Sequence, residues 1–356
     1  MTTTPPARVR PLHDAAVIWE QHCCLPLDVG SREVDVDQLL RYRAAGASYV
    51  SVNVGYGPHG IGDTVRTLAA FRHHVQTHTD DFVLATAADD VAAAKGSGRL
   101  AVGFDLECTN PLEGRVDLVQ VYYDLGVRSM LMAYNSETLA GYGCHSDPDG
   151  GLKPFGRAVV AEMNRVGMFV DASHCSFRTS MDLFEASSAP VIFSHSVARA
   201  LKDHERNITD SQMRACAETG GVIGLNGVGI FLGANDASTA AFVRHLDYVV
   251  SVVGPQHVGL GLDYTFDMSD LDRELADNPQ LFPPSYRTFG EPFRFVAPEQ
   301  LPEITAAMVD LGYPDEAVLS ILGGNFLRLA GEVWKPPSTE PRRSPRPLVP
   351  SQPGPA

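Results

Sequence analysis

The stretch GRAVVAEMNRVGMFVDASH, residues 156–174, shows the pattern that decides the fold. Its first part, residues 156–167, places apolar residues at helical spacing and ends in glycine, as the C-terminus of a helix often does. Its second part, residues 168–174, is a short apolar run that predicts a buried strand ending in His174. A helix followed by a strand, with a polar side chain where the strand ends, is the arrangement that recurs along this chain.

Strand–helix alternation extends over most of the sequence. Amphipathic segments at 34–46, 115–126 and 209–221 predict further helices, and an additional run at 82–87 predicts a short accessory strand. Near-continuous apolar strands favour a parallel sheet covered by helices, and eight such units match the size of a TIM barrel. The eight apolar runs that predict the main strands lie at residues 17–22, 48–54, 100–107, 129–134, 168–174, 191–196, 222–227 and 257–263.

A doubly wound open sheet is the competing interpretation. It would place a glycine-rich phosphate-binding turn after the first strand, where this chain has HCCLPLD at residues 22–28. We therefore expect a single-domain α/β fold, a (β/α)8 TIM barrel, over residues 13–334. Residues 1–12 are predicted to form a flexible N-terminal arm, and the Pro-rich segment 335–356 a disordered tail.

Composition excludes several classes of protein. The 356 residues are 44% hydrophobic and 20% charged, as in a folded globular protein. The formal net charge is −15 and no Lys/Arg cluster stands out in the predicted folded region, so we expect no nucleic-acid partner. Neither a membrane span nor a secretory or lipid-anchor signal is recognisable, so we expect no membrane association and a cytoplasmic location. The six cysteines are expected to be free thiols or ligands rather than a disulfide framework.

Ligand-type side chains stand at the ends of five predicted strands. In a TIM barrel the active site lies at the C-terminal face, where the ends of several strands meet. Each residue alone has a structural interpretation: a rim histidine, a paired Glu107, or an Asp263 that caps the next helix. Their occurrence together favours a metal site, and the residues concerned are His22, Glu107, His174, His195 and Asp263.

Imidazole and carboxylate ligands predict the kind of metal and the kind of reaction. They suit Zn²⁺, with Mn²⁺, Fe²⁺ or Co²⁺ as alternatives. A carboxylate among three histidines can bridge two ions, so we expect one or two ions per chain. Bound metal lowers the pKa of water and makes a nucleophile available at neutral pH. Asp263 would accept the proton of that water and later give it to a leaving amine, which predicts a metal-dependent hydrolase.

Longer motifs then carry a resemblance to a known family. The stretches GLKPFGRAVVAEMNRVGMFVDASHCS (151–176) and APVIFSHSVARALKDHERNITDSQM (189–213) resemble, in this order, segments of the membrane (renal) dipeptidase family of the amidohydrolase superfamily. HVGLGLD (257–263) and GVRSMLMAYN (126–135) are similar to two of its strands. The resemblance covers roughly residues 14–335, nearly all of the predicted folded part.

The resemblance implies a role for each residue of the predicted site. Glu107 matches the carboxylate that bridges two zinc ions, His174 and His195 match the ligands of one ion, and His22 matches a ligand of the other. Asp263 matches the acid–base residue. Members of the family typically hydrolyse dipeptides, often with a D-residue at the C-terminal position, and are commonly homodimers.

Two further residues are implied to contact the substrate. Arg206, in HERNITD, matches the arginine that holds the substrate, and a guanidinium can bind a carboxylate through two parallel hydrogen bonds. Without the resemblance, Arg206 would be interpreted as a solvated loop cation. Tyr134 stands where the family often has a histidine that contacts the substrate. It can donate a hydrogen bond to an oxyanion, or it can simply pack on the rim.

The first-strand motif departs from the family. The well-studied members have His-x-Asp, with both residues on the same ion, whereas this chain has His22-Cys23-Cys24. Cys24 can ligate a second zinc as a thiolate, which would be a softer ligand than a carboxylate. The site can instead hold a single ion bound by Glu107, His174 and His195. In that case Cys24 is a buried apolar side chain beside it.

Three functions are therefore weighed. The first is a zinc dipeptidase, or a related enzyme acting on a small substrate with a free carboxylate. The second is another hydrolase on the same scaffold, such as a deaminase, a lactonase or a biosynthetic tailoring amidase, which the departures at Cys24 and Tyr134 favour. The third is a barrel without activity, against which the presence of Asp263 argues because this residue serves chemistry rather than ligation.

Overall fold

The computed structural model of the protein describes residues 8–30, 34–286 and 291–335. Ten strands occur within these ranges, and the eight predicted main strands and the accessory strand are all among them. The strands are β1 Ile18–Cys24, β2 Ala47–Asn53, β3 Phe82–Leu84, β4 Leu100–Leu106, β5 Val127–Leu131, β6 Phe169–Asp171, β7 Val191–Ile192, β8 Ile223–Leu225, β9 Val258–Leu260 and β10 Tyr264–Thr265.

The main strands form a parallel barrel, which confirms the predicted fold class. Their order is β7-β6-β5-β4-β2-β1-β9-β8, and an isolated parallel bridge between Phe193 and Ile223 joins the two ends of this sheet. The accessory strand β3 pairs with the first half of β4, and β10 pairs with the end of β1. Because all strands run in the same direction, their C-terminal ends lie on one face of the barrel.

Helices cover the barrel on the outside. The four helices predicted from amphipathic segments are found, although α6 begins two residues earlier than expected, at Pro154. It ends before Gly167, whose φ of 90° favours glycine. The α-helices are α1 Val9–Ala15, α2 Leu40–Ala44, α3 Ile61–Thr77, α4 Ala88–Ser97, α5 Leu118–Asp124, α6 Pro154–Val166, α7 Phe177–Ala186, α8 Asp210–Glu218, α9 Gly229–Leu232, α10 Thr239–Val253, α11 Met268–Asp277, α12 Leu301–Asp310, α13 Asp315–Leu319 and α14 Asn325–Val333. Short 3₁₀ helices span Val36–Leu39, Asn110–Leu112, Pro255–His257, Pro284–Tyr286 and Pro298–Gln300, and a π-helical turn spans Ser320–Gly324.

The apolar core closes the barrel at the N-terminal ends of the strands. Trp19 and Tyr49, near the starts of β1 and β2, stack with their ring centroids 3.8 Å apart. Phe326 of α14 and Trp334 pack against Trp19. These large rings fill the end of the barrel opposite the strand C-termini, so a polar site has room only at the other end.

The N-terminal segment differs from its prediction where the structure describes it. Helix α1 begins at Val9, although residues 1–12 were expected to be a flexible arm. His13 is buried, with Nδ1 2.8 Å from Thr305 Oγ1 and Nε2 2.9 Å from the Ala45 carbonyl oxygen. These contacts fix α1 on the barrel. The remainder of the predicted arm and the predicted tail from residue 336 lie outside the described residues.

Candidate metal centre

A β-bulge positions the first ligand-type residue. Between Glu20 and Cys23, β1 has one residue more than its neighbour β2, where the matching positions are Val50 and Val52. Bulges of this kind are frequent beside active sites because they re-aim a side chain. In β1 the bulge contains His22, whose side chain is fully buried at the C-terminal face of the barrel.

Two other site residues adopt a left-handed backbone conformation. His174 lies three residues after β6 with φ 61°, and Asp263 lies three residues after β9 with φ 57°. This conformation is uncommon for residues other than glycine, and such departures concentrate at functional sites. Asp263 does not cap a helix, because the chain continues into β10 and Asp267 caps α11. The structural interpretation of Asp263 as an N-cap is therefore wrong.

One carboxylate lies at the centre of three imidazoles. Glu107 follows β4 directly, and its Oε1 is 3.3 Å from Nε2 of His22 and 3.3 Å from Nε2 of His174. His195 places its Nε2 3.4 Å from the same oxygen and 2.9 Å from Nε2 of His174. The four side chains come from four separate strands, and all are buried.

Hydrogen bonds on the far side of each ring fix the orientation of two imidazoles. His22 Nδ1 lies 3.0 Å from Asp105 Oδ1, a carboxylate that only accepts. His174 Nδ1 lies 2.7 Å from Asn135 Oδ1, and the Asn135 amide nitrogen donates to the Leu281 carbonyl at 3.0 Å. Both Nδ1 atoms therefore carry a proton as donors, and in a neutral ring the Nε2 atom is left with a lone pair.

This donor set fits a divalent cation. The Nε2 atoms of His22 and His174 each lie 3.3 Å from Oε1 of Glu107, and a positive charge stabilises such an arrangement. Without a metal the His22 imidazolium supplies this charge, because the pKa of His22 is raised well above normal. Neutral imidazoles bonded to an acceptor behind the ring, together with a carboxylate, are the usual ligands of Zn²⁺. His22, Glu107 and His195 form one group whose ligand atoms all lie within 4.8 Å of one another.

The pKa values of the histidines follow their surroundings. Burial lowers the pKa of His174 to about 3, and the nearby positive charge of Arg206 acts in the same direction. Burial likewise holds the pKa of His195 well below its usual value. At His22 burial is outweighed by the carboxylates of Asp105 and Glu107, which raise its pKa well above normal. The pair His174 and His195 thus stays neutral, the form that binds metal.

Cys24 belongs to a second group of possible ligands. Its Sγ lies 3.5 Å from His22 Nε2 and 3.8 Å from Asp263 Oδ1, and the ligand atoms of these three residues lie within 4.8 Å of one another. Burial raises the pKa of the Cys24 thiol to about 12. The thiol therefore stays protonated unless a cation is bound beside it, since metal coordination deprotonates a thiol outright.

Asp263 has the properties of an acid–base residue. Its Oδ2 accepts a hydrogen bond from the Asn226 side chain at 2.8 Å, which leaves Oδ1 directed towards His22 at 3.6 Å. Burial raises the pKa of Asp263 to about 6, with Glu107 acting in the same direction. A carboxyl group with a pKa near neutrality can both accept and return a proton.

The two predicted substrate-contacting residues border the same centre. Arg206 is buried, and its guanidinium donates to the His195 carbonyl oxygen at 2.9 Å and to Ser196 Oγ at 3.2 Å. Its Nε is buried without a hydrogen-bond partner. The Tyr134 ring stacks on that of His174 with the centroids 4.3 Å apart. The structure thus brings all eight predicted site residues together.

Residues that support the centre were missed by sequence reasoning. The Asn53 amide donates to Glu107 Oε2, and Ser194 Oγ lies 2.6 Å from His195 Nδ1. Asp105 precedes Glu107 by two residues, and this spacing on a strand could have indicated a shared face. Asn53 and Ser194 carry no such signal, because amides and hydroxyls are common at strand ends.

All six cysteines are free, as expected.

Comparison with known proteins identifies the family to which this chain belongs. The family model described as membrane dipeptidase (Peptidase family M19) matches residues 6–279. The chain belongs to this family. Its predicted resemblance to the membrane dipeptidases is thereby confirmed.

Individual relatives agree with this assignment. An uncharacterized dipeptidase of Schizosaccharomyces pombe is 34% identical over 212 residues, which are 57% of this chain and 51% of that protein. Dipeptidase tcpJ of Claviceps purpurea is 30% identical over 317 residues, which are 84% of this chain and 69% of that protein. The chain thus spans only about half of the length of the first of these relatives.

A solved structure shows the same fold. The crystal structure of an amidohydrolase from Pseudomonas aeruginosa has a TM-score of 0.83 and 26% sequence identity to this chain. The match covers 92% of this chain and 99% of the other.

No helix in the described part of this dipeptidase-family chain combines the length and apolar character needed to cross a bilayer.

Proposed function

We propose that this member of the dipeptidase family is a metal-dependent hydrolase that cleaves the amide bond of a dipeptide or dipeptide-like substrate with a free carboxylate. The observation that carries the proposal is the convergence of His22, His174 and His195 on one oxygen of Glu107. The family assignment supports the same class of substrate.

The residues divide into two ligand groups. Glu107, His174 and His195 would hold one ion, and His22 and Cys24, with Glu107 as the shared carboxylate, would hold a second. We propose Zn²⁺ because its ligands are imidazole, carboxylate and thiolate, with Mn²⁺, Fe²⁺ or Co²⁺ as alternatives. When bound, such a cation supplies Lewis acidity, which makes water nucleophilic at neutral pH and polarises the substrate carbonyl.

Asp263 would transfer the proton. Its Oδ1 faces the ligand cluster, so it is placed to take a proton from the attacking water and to return it to the nitrogen of the leaving amine. Asn226 holds the other oxygen and keeps the carboxylate in this orientation. The raised pKa of Asp263, about 6, suits both halves of this transfer.

Arg206 would bind the free carboxylate of the substrate. Two of the five N–H donors of a guanidinium suffice for its contacts to His195 and Ser196, which leaves donors for a ligand. Burial strengthens a charge-assisted hydrogen bond, because water competes poorly there. Tyr134, stacked on His174, would border the reacting carbonyl.

A homodimeric state and a cytoplasmic location stay predictions.

A panel of dipeptides tests the proposal. The purified protein, loaded with Zn²⁺ or Mn²⁺, is incubated with L-Xaa-L-Xaa and L-Xaa-D-Xaa dipeptides, and release of free amino acids is measured. We expect hydrolysis, and its loss in Asp263→Asn at unchanged metal content. Absence of turnover across the panel at full metal occupancy would contradict the dipeptidase activity. Turnover of lactones or of deamination substrates would instead favour another hydrolase on the same scaffold. The replacement of the family's aspartate by Cys24 suggests such a function.

A further inference from the structure

Two cavities meet at the metal centre, and they differ in character. One is lined by Cys24, Glu107 and Asp263 and continues past Tyr134 along apolar side chains. The other lies on the side of Arg206, and most of the residues that line it are polar or charged, such as Asp149 and Gln212. His174 borders both cavities. The reacting centre thus separates an apolar space from a polar one.

This arrangement sets the direction of a bound substrate. If Arg206 holds the free carboxylate, the C-terminal residue of a dipeptide lies on the polar side. The reacting carbonyl lies at Glu107 and Asp263. The remaining part, the residue that contributes the acyl group, must then extend into the apolar cavity.

Aromatic rings form a continuous wall along the apolar cavity. Starting from the ring of His174, the centroids follow at 4.3 Å to Tyr134 and 6.0 Å to Phe282. The series continues at 5.6 Å to Tyr286 and at 5.8 Å to Phe231. All but the first of these contacts are edge-to-face, the geometry that aromatic rings prefer. An apolar side chain beside the reacting carbonyl would therefore meet ring faces and edges rather than water.

Aliphatic and aromatic side chains line other parts of the cavity. Leu271 and Leu275 of α11, together with Phe293, are only half-buried in the free protein and line this space. A ligand side chain that covers them removes apolar surface from water on both partners. The cavity also includes the carboxyl groups of Asp270 and Glu274 on α11. Burial raises the pKa of Glu274 to about 7, and an acidic ligand side chain would add a further negative charge there.

We propose that the cavity bordered by Tyr134, Phe282 and Leu271 is a specificity pocket for a bulky apolar acyl-side residue. The inference rests on the proposed function and names its preferred substrates, which are dipeptides whose N-terminal residue has a large aliphatic or aromatic side chain. Small and acidic N-terminal residues are the poor substrates, because they leave the apolar wall exposed or meet the carboxylates of α11.

A substrate series with a constant C-terminal residue tests the pocket. The values of kcat/KM are measured for Ala-D-Ala, Leu-D-Ala, Phe-D-Ala, Lys-D-Ala and Glu-D-Ala with the zinc-loaded protein. We expect Leu-D-Ala and Phe-D-Ala to exceed Ala-D-Ala by about tenfold or more, the discrimination that added methylene groups give in an apolar pocket. Glu-D-Ala should be the slowest. Equal values for all five, or a preference for Lys-D-Ala, would overturn the inference and leave the hydrolase itself intact. Turnover of none would overturn the proposed function and the inference with it.

Variants of half-buried wall residues distinguish an effect on substrate preference from an effect on folding. Leu271→Ala and Phe293→Ala should each lower the ratio of kcat/KM for Phe-D-Ala to that for Ala-D-Ala by about threefold or more, since part of the apolar contact is lost. Leu311→Ala is the matched control, because this exposed leucine lies outside the cavity and should leave the ratio unchanged. Circular dichroism and zinc content verify that each variant folds. A ratio that both wall variants leave at the wild-type value would contradict the proposal.

Discussion

At the scale of single residues, the six cysteines show how surroundings decide chemistry. Cys216 and Cys108 are fully buried, with Cys216 donating to a backbone carbonyl oxygen and Cys108 accepting from a backbone N–H. Cys24 instead has an imidazole nitrogen and a carboxylate oxygen within 4 Å of its sulfur. Its ligand role is therefore proposed from its neighbours and not from its residue type.

Removal of Cys24 tests this role. We expect Cys24→Ala to reduce bound zinc from about two ions per chain towards one, because the second ion loses its thiolate. In protein loaded with Co²⁺, the near-ultraviolet band of a thiolate–cobalt bond should disappear with it. Cys216→Ala, which removes a buried cysteine of α8 outside both ligand groups, should keep both signals. Unchanged stoichiometry in Cys24→Ala would assign Cys24 to packing.

Arg206 allows a second test at this scale. Arg206→Lys keeps the charge but loses the planar pair of donors, so we expect kcat/KM for a dipeptide to fall by about 10- to 100-fold. The same dipeptide with its C-terminal carboxylate converted to an amide should be a poor substrate of both proteins. A loss in Arg206→Lys that is equally large for the amide would show that Arg206 acts on the fold and not on the carboxylate. Zinc content controls for an intact site.

The sequence revealed the ligand-type residues but not their supports. His22, Glu107 and His195 were predicted because few residue types bind metals and because they follow apolar runs. Asp105 and Asn135 fix the imidazole orientations, yet they belong to residue types that also occur in turns and on surfaces. Their role depends on contacts across the barrel, which a single sequence does not show.

At the scale of elements, apolar runs predicted the strands because parallel barrel strands are buried on both faces. The bulge in β1 was not predictable, since it is defined by the register against β2 rather than by the residues of β1. Helix α1 was missed for a similar reason. Its seven residues are stabilised by burial of His13 and Leu12 against the barrel more than by their own propensity.

Helix α10 carries a buried histidine that predicts a pH dependence of stability. His245 Nδ1 accepts from the Ala198 N–H at 3.3 Å, and its Nε2 donates to the Leu232 carbonyl at 3.2 Å. Burial lowers the pKa of His245 to about 4 from the ordinary 6.5. The folded state therefore favours the neutral ring. Its contribution is complete above pH 6.5 and is lost progressively as the pH falls towards 4.

Denaturant unfolding at several pH values measures this contribution. Between pH 6.5 and pH 4, His245 should account for a decrease of at most about 3 kcal/mol in the free energy of unfolding, since each pKa unit corresponds to about 1.4 kcal/mol. In metal-free protein, His245→Gln should show a shallower decline than the wild type. His73→Gln, at an exposed position, should decline as the wild type does. Parallel curves for all three proteins would contradict the assignment.

At the scale of the whole molecule, the proposed metal centre joins strands that are far apart in the chain. Its ligands follow or belong to β1, β4, β6 and β7, and Asp263 follows β9. An ion bound only by the folded barrel would stabilise it by about 4 kcal/mol at a free concentration 1,000 times its Kd. The ion would thus hold these strands together at the C-terminal face of the barrel and stabilise the fold.

Removal of the metal by a chelator tests this stabilisation of the fold. We expect removal of zinc to lower the Tm and its return to restore the original value. In His195→Ala the rise in Tm on zinc addition should be smaller than in the wild type, because one of the two proposed ions loses a buried ligand. His73→Gln should respond as the wild type does. A Tm that is independent of zinc in the wild type would speak against an ion held in the interior.

The position of bound zinc is the most direct test of the central claim. Crystals of the zinc-loaded protein can be measured with X-rays above and below the zinc absorption edge, so that anomalous differences locate the ion. We predict a strong peak between Glu107 Oε1 and the Nε2 atoms of His174 and His195, with a second peak near Cys24. Absence of any peak among Glu107, His174 and His195 at saturating zinc would contradict the account.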